Sequence, residues 1–330
     1  MPAFFAPSES RAFALSVCAK ASIPLSSLEE REFEGGECKL RPLESVRDRT
    51  VFVLQSLAGN SKASTSDRLV RLLFLLSGLR DAGANRLIAL IPYLAYARKD
   101  RRTKPRDPVT TRYIAEMLES AGATRAVSLD VHNDAAFDNA FRIPVDHLTA
   151  SPLMVDYFAR LHASESFVVA SPDIGGVKRA QVFRELLEAR VGRPIELVFL
   201  EKRRSSGVVS SGMLVGKVEG CRVIMLDDLC ATGGTLVRGA QICKDAGATA
   251  VIAAVTHVPL SDGLHSLLGA HAIDSVLTTD SVGPDFHPAS IASHPKLISL
   301  SAGMLFGAAL RRMIDRQPVA PLLTQWPLTD

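Results

Sequence analysis

The chain has 330 residues, 47% of them apolar, with 38 Lys or Arg against 35 Asp or Glu and a formal charge of only +3. That length exceeds what one hydrophobic core ordinarily serves, so two α/β domains are expected, and the near balance of charge gives no basis for a duplex-binding surface. Five cysteines (Cys18, Cys38, Cys221, Cys230, Cys243) without zinc-site spacing, no cationic leader and no bilayer-length apolar run point to a cytoplasmic protein with reduced thiols, no nucleic-acid partner and no membrane partner.

Short apolar runs rich in β-branched residues alternate with helix-length segments along the chain. In order they are VFVLQ (51–55), RLIALI (86–91), AVSLD (126–130), FVVA (167–170), ELVFL (196–200), RVIML (222–226) and AVIAAV (250–255). Such alternation predicts mainly parallel sheets covered on both faces. Ala82-Gly83-Ala84, Ala121-Gly122-Ala123 and Ala246-Gly247-Ala248 each follow a helical pattern and precede one of these runs, so each glycine suits a left-handed helix C-cap.

Ten residues beyond the last two of those glycines stand His132 and His257. An internal duplication, with one half at 1–147 and the other at 148–330, explains the matching layout; a plain preference of αβ loops for Ala-Gly is the competing account. The stretch Arg316 to Asp330 is proline-rich and is expected to be a loosely packed tail.

Three segments carry chemistry on their own residues. Ser171-Pro-Asp-Ile-Gly-Gly-Val-Lys-Arg-Ala180 reads as strand, glycine loop and helix, with Asp173, Gly175 and Gly176 in the loop and Lys178 and Arg179 in the first helical turn. Cations there oppose the helix dipole, so an anion between them and the amides is expected. Glu201-Lys-Arg-Arg204 follows a strand and precedes the Ser/Gly-rich stretch Ser205 to Gly212; such a run alone is usually a solvated surface. In Arg222-Val-Ile-Met-Leu-Asp-Asp-Leu-Cys-Ala-Thr-Gly-Gly-Thr235 a buried strand ends in Asp227 and Asp228, and the loop Ala231, Thr232, Gly233, Gly234, Thr235 opens a helix from Leu236 to Ala246. Its glycines allow close approach of a phosphate, its threonines add hydroxyls, and the two aspartates have the reach for sugar hydroxyls or a magnesium shell.

Upstream lie Ile91-Pro-Tyr-Leu-Ala-Tyr-Ala-Arg-Lys-Asp-Arg-Arg102, Pro105-Arg-Asp-Pro-Val-Thr110, Ser128-Leu-Asp-Val-His132 and Phe33-Glu-Gly-Gly-Glu37. Taken with the three later segments, in this order and spacing, they make the chain resemble the ribose-phosphate pyrophosphokinase (PRPP synthetase) family from about Phe33 to about Leu310. The resemblance implies two tandem phosphoribosyltransferase-type α/β domains and transfer of pyrophosphate from ATP to ribose 5-phosphate with Mg2+. It implies that Asp227, Asp228 and residues 231–235 hold ribose 5-phosphate, that Asp173, Gly175 and Gly176 form the pyrophosphate loop, and that Lys202 and Arg204 are the catalytic pair. Phe33, Glu37, Arg98, Lys99, Asp100 and His132 correspond to the ATP-binding residues, with His132 and Asp173 near the metal. It also implies self-association to a dimer or hexamer in which subunits share the ATP site.

Several positions depart from the family pattern. Gly35 replaces an aspartate of the base-recognition motif, Lys99 replaces a glutamine, Ala231 stands at a third aspartate, and the segment after His132 reads Asn-Asp-Ala-Ala-Phe-Asp-Asn-Ala-Phe141. These leave room for altered sugar or nucleotide specificity, or for a catalytically silent regulatory paralogue. An ordinary phosphoribosyltransferase would leave the 91–102 and 128–132 segments unexplained. The physical expectation beneath all of this is that the exits at Asp173 and Asp228 face one common cleft.

Overall fold

A computed structural model describes residues 2–161, 165–201, 204–205, 208–209, 213–283 and 286–326. The chain divides into two compact units, one of residues 1–149, 280–286 and 301–320, the other of residues 150–279, 287–300 and 321–330.

The first unit begins with β1 (Ala3–Phe5) and α1 (Arg11–Ala21), followed by a hairpin of β2 (Leu28–Glu32) and β3 (Cys38–Pro42). It continues through β4 (Thr50–Leu54), α2 (Thr65–Asp81), β5 (Arg86–Ile91), α3 (Thr110–Ser120), β6 (Arg125–Leu129), α4 (Asp134–Ala140) and β7 (Val145–Leu148). Strands β1, β4, β5, β6 and β7 form one wholly parallel sheet in that spatial order. One face buries Val51, Val53, Leu87, Ala89 and Ile91 against Leu72, Leu75, Leu76 and Leu79 of α2, Ile114 and Leu118 of α3, and Phe137 of α4. The alternate residues Phe4, Phe52, Leu54, Ile88 and Leu90 point the other way and are buried too, which is why the strand sequences read as unbroken apolar runs.

The second unit opens with α5 (Ser151–Leu161), β8 (Phe167–Ser171), α6 (Val177–Val191) and β9 (Glu196–Glu201). A short ribbon of β10 (Arg204–Ser205) and β11 (Val208–Val209) precedes β12 (Met213–Val215), β13 (Arg222–Leu229), α7 (Gly234–Asp245), β14 (Ala250–His257), α8 (Ser261–Gly269) and β15 (Ser275–Thr279). Then come α9 (Ala289–Ala292) and β16 (Leu297–Leu300). The sheet order is β12-β9-β8-β13-β14-β15-β16, parallel except for the edge strand β12. Val168, Val198, Val223, Met225 and Val251 pack under Leu236 and Ala240 of α7 and Leu264 and Leu267 of α8. On the other face Phe158 of α5 stands edge-on to Phe167 of β8 and Phe183 of α6, at 5.7 and 6.3 Å between centroids.

All seven apolar runs read from the sequence are strands, namely β4, β5, β6, β8, β9, β13 and β14. The three Ala-Gly-Ala phrases end α2, α3 and α7 in the same motif: Gly83, Gly122 and Gly247 have φ of +86°, +107° and +88°. Beyond each glycine an N–H reaches back to the previous turn, from Ala84 to Leu79 O (3.1 Å), Ala123 to Leu118 O (3.0 Å) and Ala248 to Cys243 O (3.0 Å).

Helix α10 (Ala302–Ile314) belongs to the first unit and packs on α1, with Phe306 edge-on to Phe13 at 5.7 Å. Gly303 and Gly307 let the two backbones approach: a methyl at Gly307 would lie 2.6 Å from Lys20 Cβ and 2.8 Å from Val17 O. Part of the tail expected to be loose is anchored, since Leu322 is fully buried within a 3-10 turn spanning Ala320–Leu323, while its residues 327–330 lie outside the described residues. No helix among the described residues is long and apolar enough to cross a membrane.

Candidate active site

In an open parallel sheet the ligand crevice forms where the chain reverses its direction of strand addition, because loops leaving the two adjacent strands then diverge. In the second unit the chain runs from β8 outward to β9 and later returns to lay β13 on the opposite side of β8. The reversal therefore falls between β8 and β13, whose exits carry Asp173 and Asp227-Asp228. The two glycine-bearing turns are thus neighbours at one carboxyl edge.

At the β8 exit, Ser171 Oγ donates to Asp173 O at 2.6 Å, and Asp173 Oδ1 accepts the Gly176 N–H at 3.2 Å, capping a 3-10 turn that runs into α6. Gly175 is exposed and Gly176 is buried. At the β13 exit Gly233 has φ of +78° and caps α7, and a methyl there would meet Ser266 Cβ at 3.0 Å. Both requirements disfavour any side chain there, so the loop from Ala231 to Thr235 holds its shape through Gly233. Thr232 is exposed and Thr235 is half-buried, and the opening N–H groups of a helix such as α7 have no carbonyl within the helix to bond, an arrangement suited to a phosphate.

Two adjacent carboxylates end β13. The Asp228 side chain is 6% exposed and that of Asp227 is 25% exposed, and the Asp228 N–H donates to Asp227 Oδ1 at 2.9 Å. Burial, then repulsion from Asp228, pushes the Asp227 carboxyl up to about 8. Arg179, from the first turn of α6, places Nη1 2.9 Å from Asp228 Oδ1 and 3.8 Å from Asp227 Oδ1. The anion that Arg179 faces is therefore a carboxylate of the protein itself, whereas Lys178 is exposed to solvent.

The remaining members of this set lie after β9. Lys202 lies outside the described residues, and Arg204 lies in β10, whose backbone pairs antiparallel with Val209 of β11.

The nucleotide set lies on the first unit. Arg98, Lys99 and Asp100 leave the end of β5 and His132 leaves the end of β6, its parallel neighbour. Asn133, next to His132, donates from Nδ2 to Asp100 Oδ2 at 2.6 Å, so the two exits are joined directly. Asn133 also caps α4, its side chain accepting from the Ala136 N–H. Arg98 and His132 are exposed, whereas Lys99 is turned inward to Asp107 at 2.6 Å. That bond, with Thr103 and two backbone amides, holds Asp107 well below the usual carboxylate range.

Backbone strain concentrates in the same place: Tyr96, Arg106 and Asp130 have φ of +64°, +69° and +36°. His147 braces the β6 exit, its Nε2 accepting the Val131 N–H at 3.2 Å and its Nδ1 facing Asp134 at 3.2 Å. Phe33 and Glu37 stand exposed at the tip of the separate β2–β3 hairpin, with the Arg31 guanidinium 5.0 Å from the Phe33 ring centroid. Next to the tip, Arg71 of α2 bonds Glu32 of β2 and also Glu9.

The motif reading did not single out Asn133, Asp107 or the Arg179–Asp228 pair. Asn133 could have been found as a helix N-cap ahead of Asp-Ala-Ala. Asp228 and Arg179 are 49 residues apart in sequence, and no local pattern links them.

Family models match the chain in two stretches: the N-terminal domain of ribose phosphate pyrophosphokinase over residues 3–122 and the phosphoribosyl synthetase-associated domain over residues 208–323. Ribose-phosphate pyrophosphokinase of Wolinella succinogenes is 36% identical over 301 residues, 91% of this chain and 92% of that protein. Ribose-phosphate pyrophosphokinase 2 of Enterococcus faecalis is 35% identical over 321 residues, 96% of this chain and 94% of that protein. The crystal structure of phosphoribosylpyrophosphate synthetase from Mycobacterium smegmatis superposes with a TM-score of 0.83 at 31% identity, covering 96% of this chain and 99% of that one.

Proposed function

The chain belongs to the ribose-phosphate pyrophosphokinase family, and from that premise we propose that it transfers the β,γ-diphosphoryl group of ATP to the anomeric hydroxyl of ribose 5-phosphate, giving PRPP and AMP. The observation that carries the reading is the reversal between β8 and β13, which sets a diphosphate-type turn beside a sugar-phosphate-type turn in one unit. In the reaction the anomeric oxygen bonds to the β-phosphorus, the bond from that phosphorus to the α,β-bridging oxygen breaks, and AMP leaves with that oxygen.

Residues 231–235 would hold the 5-phosphate by their amides and hydroxyls, and Asp227 and Asp228 would accept from the ribose hydroxyls. Asp173, Gly175 and Gly176 would cradle the diphosphate, and Lys202 and Arg204 would close on the transferring phosphates, where fixed cations stabilise developing charge. On the first unit, Arg98, Lys99, Asp100 and His132 would serve ATP, with Phe33 and Glu37 addressing the base.

Magnesium fits this donor set. It takes one or two carboxylates and fills its octahedron from phosphate oxygens and water. The half-buried Asp173 carboxylate offers a hard oxygen, His132 is the further proposed contact, and among the described residues no cluster of three or more His, Cys, Asp or Glu forms a complete cage. When bound, the ion would neutralise phosphate charge.

The test is the product. With magnesium, ribose 5-phosphate and ATP labelled at the γ-phosphate, the label should appear in PRPP alongside one AMP per turnover; label in free phosphate with ADP would refute the reading. A second reading, altered nucleotide specificity, is favoured by the hairpin tip, which presents Arg31 over Phe33 and no carboxylate at Gly35. A panel of nucleoside triphosphates separates the two, since equal or faster turnover with a donor other than ATP selects the second.

A further inference from the structure

We infer that Arg179 is a positioning residue for the sugar phosphate, acting through Asp228, and is not a ligand of the diphosphate. The inference rests on the reading of the β13 exit as the ribose 5-phosphate loop.

Arg179 is the third residue of α6, the helix that follows the diphosphate-type turn. A cation so close to a helix N-terminus is electrostatically unfavourable unless an anion lies nearby. The sequence position alone therefore suggests service to a bound phosphate. The geometry directs it elsewhere: Nη1 is 2.9 Å from Asp228 Oδ1, on the neighbouring strand.

The pair is desolvated, with the two side chains 25% and 6% exposed, so its attraction is only weakly screened. An exposed pair at the same distance would contribute little. Here removal of the guanidinium would leave a buried carboxylate that repels Asp227 without the counter-charge now 2.9 Å away. Asp228 would then reorient or take up a proton, and either response spoils it as an acceptor for a sugar hydroxyl.

The link has a second consequence. Arg179 is carried by the β8 exit and Asp228 by the β13 exit, so one charge-assisted bond ties the two turns across the reversal of the sheet. Lys178, the adjacent cation, points to solvent and remains available to an incoming phosphate. The two cations of the motif thus have separate duties.

A double-mutant cycle with a binding readout decides the matter. Ribose 5-phosphate binding to the full-length protein is measured by calorimetry in magnesium buffer, and KM for ATP by AMP release, for wild type, Arg179→Met, Arg179→Lys, Asp228→Asn and the double variant Arg179→Met with Asp228→Asn. Arg179→Met is expected to weaken ribose 5-phosphate binding by about 30-fold, as truncation of one partner of a buried charge pair does. KM for ATP should move by less than about twofold, and Arg179→Lys should recover most of the loss. In the Asp228→Asn background, Arg179→Met should add less than about twofold, because the two residues act as one unit.

The inference is overturned if Arg179→Met raises KM for ATP and leaves ribose 5-phosphate binding intact, since Arg179 would then touch the diphosphate. It is overturned equally if the two substitutions multiply. If wild type forms no AMP, the parent reading of the reaction fails, and the binding arm still decides the role of Arg179.

Discussion

In the first unit β1, β4, β5, β6 and β7 lie in chain order from one edge of the sheet to the other, whereas in the second the chain leaves β8 towards β9 and then returns to lay β13, β14, β15 and β16 on its far side. Right-handed crossovers in a constant direction put successive helices on one face. That is where α2, α3 and α4 pack, while α1 and the distant α10 pack on one another in the same unit. Reversal of direction in the second unit instead puts α6 on one face and α7 and α8 on the other, and opens a crevice between two glycine turns. Similar strand and loop sequences therefore build different sites: the second unit exposes backbone amides at a crevice, and the first joins two exits by a side-chain bond, Asn133 to Asp100.

Gly233→Val puts the difference between the two units to the most severe test. With φ of +78° and Ser266 Cβ 3.0 Å from any added methyl, the β13 loop must shift, and a displacement of even about 1 Å costs on the order of 100-fold in turnover. The expected result is loss of ribose 5-phosphate binding with near-native circular dichroism and unchanged nucleotide binding. A variant with wild-type KM for the sugar would show that the loop is not the phosphate cradle.

Next in size is Gly307→Leu, which strikes the first unit alone. The side chain would have to displace Lys20 Cβ and Val17 O where α10 crosses α1, and overpacking of a closed interface costs roughly 3 kcal/mol. Denaturant unfolding should show a correspondingly lower midpoint, whereas an unchanged midpoint would mean that α10 contributes little to the unit.

These two sites also show what could be read from the chain itself. Seven of the eight interior strands described were legible because burial on both faces makes their sequences continuously apolar, as in Val51 to Leu54 or Val251 to Val255; the eighth, β15, ends in Thr278-Thr279 and was not read. The edge elements were not: β1 has three residues, β7 reads Val-Asp-His-Leu, and β12 pairs antiparallel beside a region with no apolar run. The Ala-Gly-Ala caps were legible because a left-handed C′ residue is a local demand. Strand order is not local, so the reversal between β8 and β13 could be inferred only through family resemblance. The packing of α10 on α1 joins residues nearly 300 positions apart, and its one local trace is the Gly-x-x-x-Gly spacing of Gly303 and Gly307.

Of the site itself, the glycine loops and paired aspartates were legible from strand, loop and helix grammar. What the aspartates do to one another required their burial. With Asp227 raised to about 8 from its ordinary 3.8, the protonated form is the one that the fold favours. Its stabilising contribution is complete below pH 4 and is lost as pH rises towards 8. Asp227→Asn keeps a neutral isostere and removes the titration. Wild type and variant should therefore match near pH 4 and diverge by on the order of 2 kcal/mol at pH 9, wild type being the less stable. Parallel stability curves would place the titration elsewhere.

A smaller effect compares two arginines in matching positions, each in the opening of the helix that follows a strand. Arg179 in α6 faces Asp228, while Arg68 in α2 is 2% exposed with Nε and Nη1 lacking hydrogen-bond partners among the described residues, and burial lowers its pKa. A buried charge so poorly compensated is often replaced by an apolar side chain with a gain. Arg68→Met should stabilise the protein by about 1 kcal/mol in thermal or urea unfolding. Destabilisation by Arg68→Met would mean that Glu9, whose Oε2 is also buried without a partner among the described residues, depends on Arg68.

The smallest expected effect concerns Lys99, the position at which the family carries glutamine. Its ammonium lies 2.6 Å from Asp107, but the two side chains are 35% and 23% exposed, and ion pairs so open to water and salt contribute little to stability. Lys99→Gln should therefore leave the unfolding midpoint almost unmoved. The loop from Ile91 to Thr110 is nevertheless strained at Tyr96 and Arg106, and Asp107 also accepts from Thr103 and Lys104, so the pair fixes a shape more than it supplies stability. If that shape presents Arg98 and Asp100 to ATP, Lys99→Gln changes KM for ATP while stability stays constant, and the change grows as salt is lowered because the wild-type pair strengthens. A KM equal to wild type at every ionic strength would assign the loop's geometry to Thr103 and the backbone amides alone.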